Sequence, residues 1–439
     1  MNFNDIMALG GKRCACGKVH NVTTQKITVG SGAINTLSDM VKSFGAKRAF
    51  VFSDVNTFCA AGESALLMLN GAGIEYKSYV ISDEHLMPDE RSVGSVVMHY
   101  DPSSDIIIGV GSGVINDIGK ILSNVTGKPY IIVATAPSMD GYVSNTSAMD
   151  RDGLKISIQS RCPDGIIGDT DIMKKAPARM LAAGLGDMLA KYVSITEWRI
   201  SHIINGEYYC ETVASLVREA LDRCVSNVDG LFRREDKAVE AVFYGLLISG
   251  IAMSYAGISR PASGMEHYIS HIMDMRHLEF GTPISLHGIQ CGVGTLTVTR
   301  LYEKLKGFTP DREKALRYVE KFDYNEWTDT LHSLVGKAAD VTISNEKVEQ
   351  KYSMERHSAR IDRIISNWHA VLRVIDEELP SSARIEDILN RCGAPATLDE
   401  LEFPSELRKT LLKATKDVRD KYILSHLVWD LGIVDEMYS

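Results

Sequence analysis

From residue 26 to residue 134, short unbroken apolar runs alternate with amphipathic stretches. The runs predict strands over 26–29, 48–53, 74–81, 105–110 and 130–134, and the stretches between them predict helices over 33–44, 60–70, 89–99 and 114–124. Ile106-Ile107-Ile108 has no polar face, so that strand is expected to be covered on both sides. Alternation at these lengths implies crossover helices and a mainly parallel sheet. Residues 139–160 break the rhythm. Small and polar residues there surround Asp150-Arg151-Asp152-Gly153, which predicts a hairpin. Beyond residue 171 the period becomes helical, with helices predicted over 177–198, 206–228, 238–255 and 264–275 and no strand. The expected architecture is an α/β domain over 1–172 followed by an all-α domain over 173–439, divided near 168–177. Residues 310–425 are charged and amphipathic, carry no catalytic pattern and read as a solvated helical face or an oligomer contact.

Composition narrows the class. A chain of 439 residues suits two domains, and 45% apolar with 24% charged residues is an ordinary globular balance. The formal net charge of −9 argues against nucleic acid as the main partner, and any anionic substrate then needs local cations, dipoles or a metal. No apolar run approaches the ~20 residues of a membrane span. Residues 1–11 lack a basic region followed by an apolar core, so no signal peptide is expected. The 8 thinly spread cysteines read as those of a reduced, cytoplasmic protein. Cys14-Ala15-Cys16-Gly17-Lys18-Val19-His20 looks like half of a zinc knuckle without a nearby second pair, and is expected to be a turn with no metal.

Three regions carry candidate chemistry. Asp105 to Lys120 reads as strand, glycine turn and helix start, with Gly109, Gly111 and Gly113 in the turn. Glycines admit a phosphate to the backbone, and the free N–H groups at the helix start favour its charge. The spacing is tighter than the usual dinucleotide fingerprint and follows the fourth strand rather than the first. A second polar loop, Ala134 to Ser144, ends the next strand, and ligands collect at such carboxyl ends. In the helical half, Gly184 and Gly186 precede Asp187. Two helical glycines cost roughly 1 kcal/mol each relative to alanine, so a close backbone approach is expected there. His267 and His271, four apart, share a helix face, and His287 follows. One carboxylate with two or more imidazoles suits a catalytic site for zinc, and nickel, iron or cobalt accept similar donors.

In order along the chain stand Gly-Ser-Gly-Val-Ile-Asn-Asp (111–117), Thr-Ala-Pro-Ser-Met-Asp-Gly-Tyr (135–142), Gly-Leu-Gly-Asp (184–187) and Ser-Arg-Pro-Ala-Ser-Gly-x-Glu-His (259–267). Together they resemble the sn-glycerol-1-phosphate dehydrogenase family, its bacterial branch above all, over roughly residues 20–300. That family is grouped with glycerol dehydrogenases, iron-containing alcohol dehydrogenases and 3-dehydroquinate synthases. The resemblance implies a Rossmann-like nucleotide domain, a helical metal and substrate domain, and metal-dependent reduction of dihydroxyacetone phosphate by NADH or NADPH. It places Asp187, His267 and His287 on one divalent ion. Asp140 and His271 would be catalytic, and the substrate would meet Asp140, Asp187, His271 and Arg260, the last as a phosphate anchor or else as a brace before Pro261. The nucleotide would lie on Asp54, Gly113, Val114, Ile115, Asn116, Asp117, Thr135, Ala136, Pro137, Ser138 and Ser144. Iron-binding relatives carry a fourth ligand, a histidine, where this chain has Lys191, which favours zinc or nickel. The same resemblance implies a cytoplasmic homodimer or larger assembly with a phosphorylated triose as its small-molecule partner. Glycerol dehydrogenase, a dehydroquinate synthase-like lyase and a silent nucleotide-binding scaffold are the alternatives.

Overall fold

The computed structural model describes residues 3–83 and 86–439. Among the described residues there are eight strands: β1 (Lys26–Gly30), β2 (Arg48–Asp54), β3 (Glu75–Ile81), β4 (Ile106–Gly111), β5 (Tyr130–Ala134), β6 (Thr146–Arg151), β7 (Leu154–Gln159) and β8 (Gly165–Asp169). Six of them form one sheet in the order β1-β8-β5-β4-β2-β3, and every pairing in it is parallel. β4, β5 and β8 are buried along their whole length, which is why β4 and β5 read as continuous apolar runs. β3 lies at the edge and keeps exposed positions.

The hairpin expected within 139–160 is β6 paired antiparallel with β7. Its two-residue turn is Asp152-Gly153, both at positive φ (54° and 76°), the backbone that twisted hairpins favour. β8 is the strand that no apolar run announced. It is short, and glycines sit at two of its positions because helices press on it. A Cβ on Gly165 would stand 2.5 Å from Met40 Sδ, and one on Gly168 would stand 2.1 Å from the Phe243 ring.

The chain forms two compact units. One runs to Met188 and includes Ser215–Ile258; the other comprises Leu189–Ala214 and Ser259–Ser439. The first holds the sheet and the helix Asp236–Ala256. That helix qualifies the sequence expectation about membrane spans, because it is long and apolar enough to cross one. Its apolar side chains are buried within the fold, Phe243 against Tyr142 and Gly168, so it is a core helix. The second unit holds no strand among the described residues. Within it the helix Met354–Glu378 buries Ile361, Ile364, Trp368, Val371 and Ile375, an apolar stripe at helical spacing, and keeps its charged face outward.

Candidate functional site

In the sheet unit the crossover leaving β2 runs outward to β3, while the one leaving β4 runs the other way to β5. Neighbouring strands whose connections diverge open a crevice at their carboxyl ends. Asp54 ends β2 there, and Gly111 ends β4. The helix Gly113–Thr126 starts immediately after, with its first amides at the crevice mouth. Gly109 and Gly111 are demanded by packing. A Cβ on the first would lie 2.5 Å from Tyr130 Oη, and one on the second 2.4 Å from Ile115 Cγ1. Gly113 is different, because a Cβ there meets nothing closer than Met139 at 3.5 Å. The folded chain has room for a side chain at 113, so packing does not account for this glycine. Gly113→Ala is therefore expected to leave thermal stability unchanged. The KM for the nicotinamide nucleotide is expected to rise by roughly tenfold, about the 1.4 kcal/mol that one lost close contact and its hydrogen bond amount to. Steady-state kinetics beside a melting curve check this, and an unchanged KM refutes the cradle.

The remaining nucleotide candidates fall into two groups. Val114 lies in the half-buried first turn of the helix, Thr135 N–H donates to the Gly111 carbonyl (3.1 Å), and Ser138 is buried in the loop after β5. Ile115 points inward under Gly111, so only its backbone faces the crevice. Asp54 caps the turn at 55–57 by accepting from Thr57 N–H (2.9 Å). Asn116 donates to the Gly141 carbonyl (3.1 Å), and the Ala136 carbonyl accepts from Tyr142 Oη (2.7 Å). Asp117 and Ser144 meet a residue that the sequence reading passed over. The buried Lys120 ammonium lies 2.7 Å from Asp117 Oδ1. It also donates to Ser144 Oγ (3.0 Å) and to the carbonyls of Gly141 (3.2 Å) and Thr146 (2.6 Å). Burial raises the Asp117 pKa more than the attraction of Lys120 lowers it.

The loop after β5 also holds Asp140. Its Oδ2 accepts from Ser249 Oγ (2.7 Å), and its N–H donates to Asp187 Oδ2 (2.9 Å). Asp187 is fully buried on the helix Ala178–Asn205. A turn earlier, a Cβ on Gly184 would stand 1.8 Å from the Pro137 carbonyl oxygen. This is the close backbone approach expected of the helical glycines, and it sets the two acidic residues side by side.

In the helical unit the helices Met265–Phe280 and His287–Leu305 are pressed together at Gly294, where a Cβ would lie 2.7 Å from the Glu266 carbonyl oxygen. The ring centroids of His267 and His287 are 5.0 Å apart, and that of His271 lies 6.5 and 6.1 Å from them. Both ligand candidates have their tautomer set. His267 Nδ1 donates to Glu266 Oε1 (2.8 Å). Ser270 Oγ gives its proton to Gln290 Oε1 (2.9 Å), so His287 Nδ1 donates to Ser270 (3.1 Å). Each imidazole is left with an Nε2 lone pair to offer a cation. A third donor joins them. Ligand atoms of His267, His287 and Cys291 all lie within 4.8 Å of one another, and Cys291 Sγ is 3.5 Å from His287 Nε2. Sequence reading missed Cys291, although its place one turn after His287 was a readable signal. These donors suit zinc or nickel.

Around them runs a buried charge network. Glu197 and Glu266 have raised pKa values, through burial and, for Glu197, through the charge of Glu266. Lys191 donates to the Ala262 carbonyl (3.1 Å) and braces that loop. Arg260 lies in the wall of a cavity of about 420 Å³ with Lys351, Arg360 and Lys421. Its guanidinium donates to Glu207 (2.7 and 2.5 Å), the Tyr422 carbonyl (2.9 Å) and Ser201 (3.3 Å). A phosphate would have to share it with Glu207.

Comparison with known proteins places this geometry. The sequence profile of iron-containing alcohol dehydrogenases matches residues 28–177. The chain is 34% identical over 370 residues to the glycerol-1-phosphate dehydrogenase [NAD(P)+] of Halalkalibacterium halodurans, covering 79% of this chain and 92% of that one. It is 30% identical to the Methanosarcina mazei enzyme of the same name over 369 residues, 83% and 95% of the two chains. Among solved structures it superposes on a glycerol dehydrogenase from Schizosaccharomyces pombe with a TM-score of 0.63 at 18% identity, over 96% of this chain and 91% of the other. It also superposes on a sulfoacetaldehyde reductase from Bifidobacterium kashiwanohense in complex with NAD+ with a TM-score of 0.60 at 15% identity, over 95% and 97%. These two likenesses show the shared fold.

Proposed function

Since the chain belongs to the glycerol-1-phosphate dehydrogenase family, we propose that it reduces dihydroxyacetone phosphate reversibly to sn-glycerol 1-phosphate with NADH or NADPH and one divalent metal ion. The observation that carries the metal is the pair His267 and His287, each with Nδ1 held by a neighbour and Nε2 left as a donor. Asp187 is assigned as the carboxylate ligand, and the missing histidine at Lys191 favours zinc or nickel. When bound, the ion supplies Lewis-acid polarisation of the ketone and the nicotinamide supplies the hydride.

The protein's own part is positioning. Gly113 to Asp117 and Thr135 to Ser138 line the nucleotide crevice through their backbone, and Asp54 faces the adenosine end. Asp140, oriented by Ser249, holds the substrate hydroxyls. The imidazole of His271 passes the proton to the product oxygen. The Arg260 guanidinium supplies the positive charge for the phosphate, shared with Glu207. Arg260→Ala is expected to raise the KM for the phosphorylated ketone, and an unchanged KM leaves Arg260 as a brace of the loop. A homodimer or larger assembly in the cytoplasm belongs to the same proposal, with sedimentation as its check.

The deciding experiment is oxidation of NADH and NADPH by the purified protein with dihydroxyacetone phosphate and dihydroxyacetone offered separately. A rate confined to the phosphorylated ketone, abolished by chelation and restored by zinc or nickel, is the expected result. Preference for the unphosphorylated ketone would transfer the assignment to glycerol dehydrogenase.

A further inference from the structure

Ahead of the first strand, residues 11–20 fold back on themselves. Gly11 N–H donates to the His20 carbonyl, Cys14 N–H to the Lys18 carbonyl and Gly17 N–H to the Cys14 carbonyl, each at 2.9 Å. Arg13 and Val19 close the loop as an isolated antiparallel bridge. Gly17 at φ 86° supplies the left-handed turn after Cys16. The fold-back gathers Cys14, Cys16 and His20, whose sulfur and nitrogen donor atoms lie within 4.8 Å of one another. Cys16 Sγ is 3.5 Å from His20 Nε2. With Zn–S of about 2.3 Å and Zn–N of about 2.0 Å, an S···N edge of a zinc tetrahedron spans about 3.5 Å. A thiol–imidazole hydrogen bond accounts for one such distance but not for the third converging donor.

The histidine is also prepared for a metal. His20 is 3% exposed, and its Nδ1 donates to the Tyr255 carbonyl (2.7 Å). That carbonyl is one of the last in the helix Asp236–Ala256, whose terminal carbonyls lack helical partners. With Nδ1 protonated, Nε2 offers its lone pair toward the two sulfurs. A carbonyl orienting the other ring nitrogen is the usual support of a metal-bound histidine. Tyr255 Oη in turn donates to the Ile6 carbonyl (2.8 Å), so the same helix end also holds the segment before the loop. Neither cysteine is in a disulfide. The sequence offered no second cysteine pair nearby, and the fold-back brings the three donors of the one motif together.

We propose that Cys14, Cys16 and His20 hold a structural zinc ion that fastens the N-terminal segment to the end of the helix Asp236–Ala256. The fourth position of the tetrahedron goes to water or to one further donor. Binding replaces the thiol protons by the metal, with no change of oxidation state. This site is separate from the His267 and His287 donors and does not depend on the dehydrogenase reading.

The test uses the full-length protein, stripped by a chelator and reloaded with cobalt(II), whose tetrahedral thiolate complexes absorb in the near ultraviolet. The wild-type protein is expected to show the thiolate band. The Cys14→Ser/Cys16→Ser variant is expected to lose one bound ion per chain and the larger part of the band, any remainder coming from Cys291, whereas His267→Ala keeps the part due to Cys14 and Cys16. Chelation of the wild-type protein is also expected to speed trypsin cleavage at the exposed Lys12, Arg13 and Lys18, a readout that needs no variant. No band in the wild-type protein, or a band and an ion count both unchanged in Cys14→Ser/Cys16→Ser, overturns the proposal. A band lost with Cys14 and Cys16 in a protein that binds only that one ion upholds it while refuting the catalytic metal.

Discussion

Replacing His267 by alanine is expected to remove the catalytic ion and to lower kcat/KM for dihydroxyacetone phosphate by about 10³-fold or more. Polarising a carbonyl with a metal contributes several kcal/mol of transition-state stabilisation, and each 1.36 kcal/mol is tenfold in rate. The side chain of His267 is nearly buried, and Glu266 holds its ring in one orientation. A water filling the gap cannot take over both roles. Glu266→Gln provides the graded companion. It keeps the shape and weakens the acceptor that orients the ring, and changes of that kind cost about 10–100-fold in metal affinity. Its activity should therefore return when the metal concentration is raised, whereas that of His267→Ala should not. Metal titrations followed by initial rates separate the two. Activity of His267→Ala within tenfold of the parent would remove this residue from the ligand set.

The second large effect is on stability. Lys120→Met is expected to destabilise the sheet unit by about 3–5 kcal/mol, the usual cost of leaving one member of a buried ion pair alone. Lys120 is fully buried, and its ammonium joins Asp117, Ser144 and two backbone carbonyls of the loop 141–146. Methionine fills the space but takes from Asp117 the cation that bonds it, leaving its charge only the weaker attraction of Lys155. Adding Asp117→Asn removes that charge and should recover part of the loss. Urea unfolding followed by circular dichroism measures both. A single variant within 1 kcal/mol of the parent, on the order of one ordinary hydrogen bond, would show that the network is not holding the loop. Because the loop carries Asp140, weaker substrate binding should accompany the loss of stability.

Much of this was legible because apolar periodicity and glycine placement are local signals. The strands β1 to β5, the hairpin and the glycine loop follow from residue types within a few positions of one another. Gly184 was legible as an anomaly, since a helical glycine needs a reason, and the Pro137 carbonyl is that reason. β8 was not, because five residues framed by glycines resemble a turn until flanking strands give them partners. The roles of Lys120, Glu266 and Ser270 were hidden for another reason. Each is an ordinary polar residue on a helix, and its meaning comes from what it meets across the fold. Cys291 fell between the two cases: its spacing from His287 was visible, but a thiol on an apolar helix face reads equally well as core. In the Cys14 to His20 loop the donor types were visible along the chain, but their convergence depends on the fold-back at Gly17.

The place of β8 also sets a schedule for synthesis. β1 is an edge strand whose one neighbour is β8, and Lys26 faces Gly165, 139 positions further along the chain. At about 5–20 residues per second, a ribosome needs roughly 7–28 s to bring that partner into being after β1 has emerged. For that interval β1 has bare amides and carbonyls and nothing of its own sheet to bind, while β2 to β5 can already pair. The chain must therefore leave the ribosome with its first strand waiting, and the last strand made is the one that wedges in to close the row.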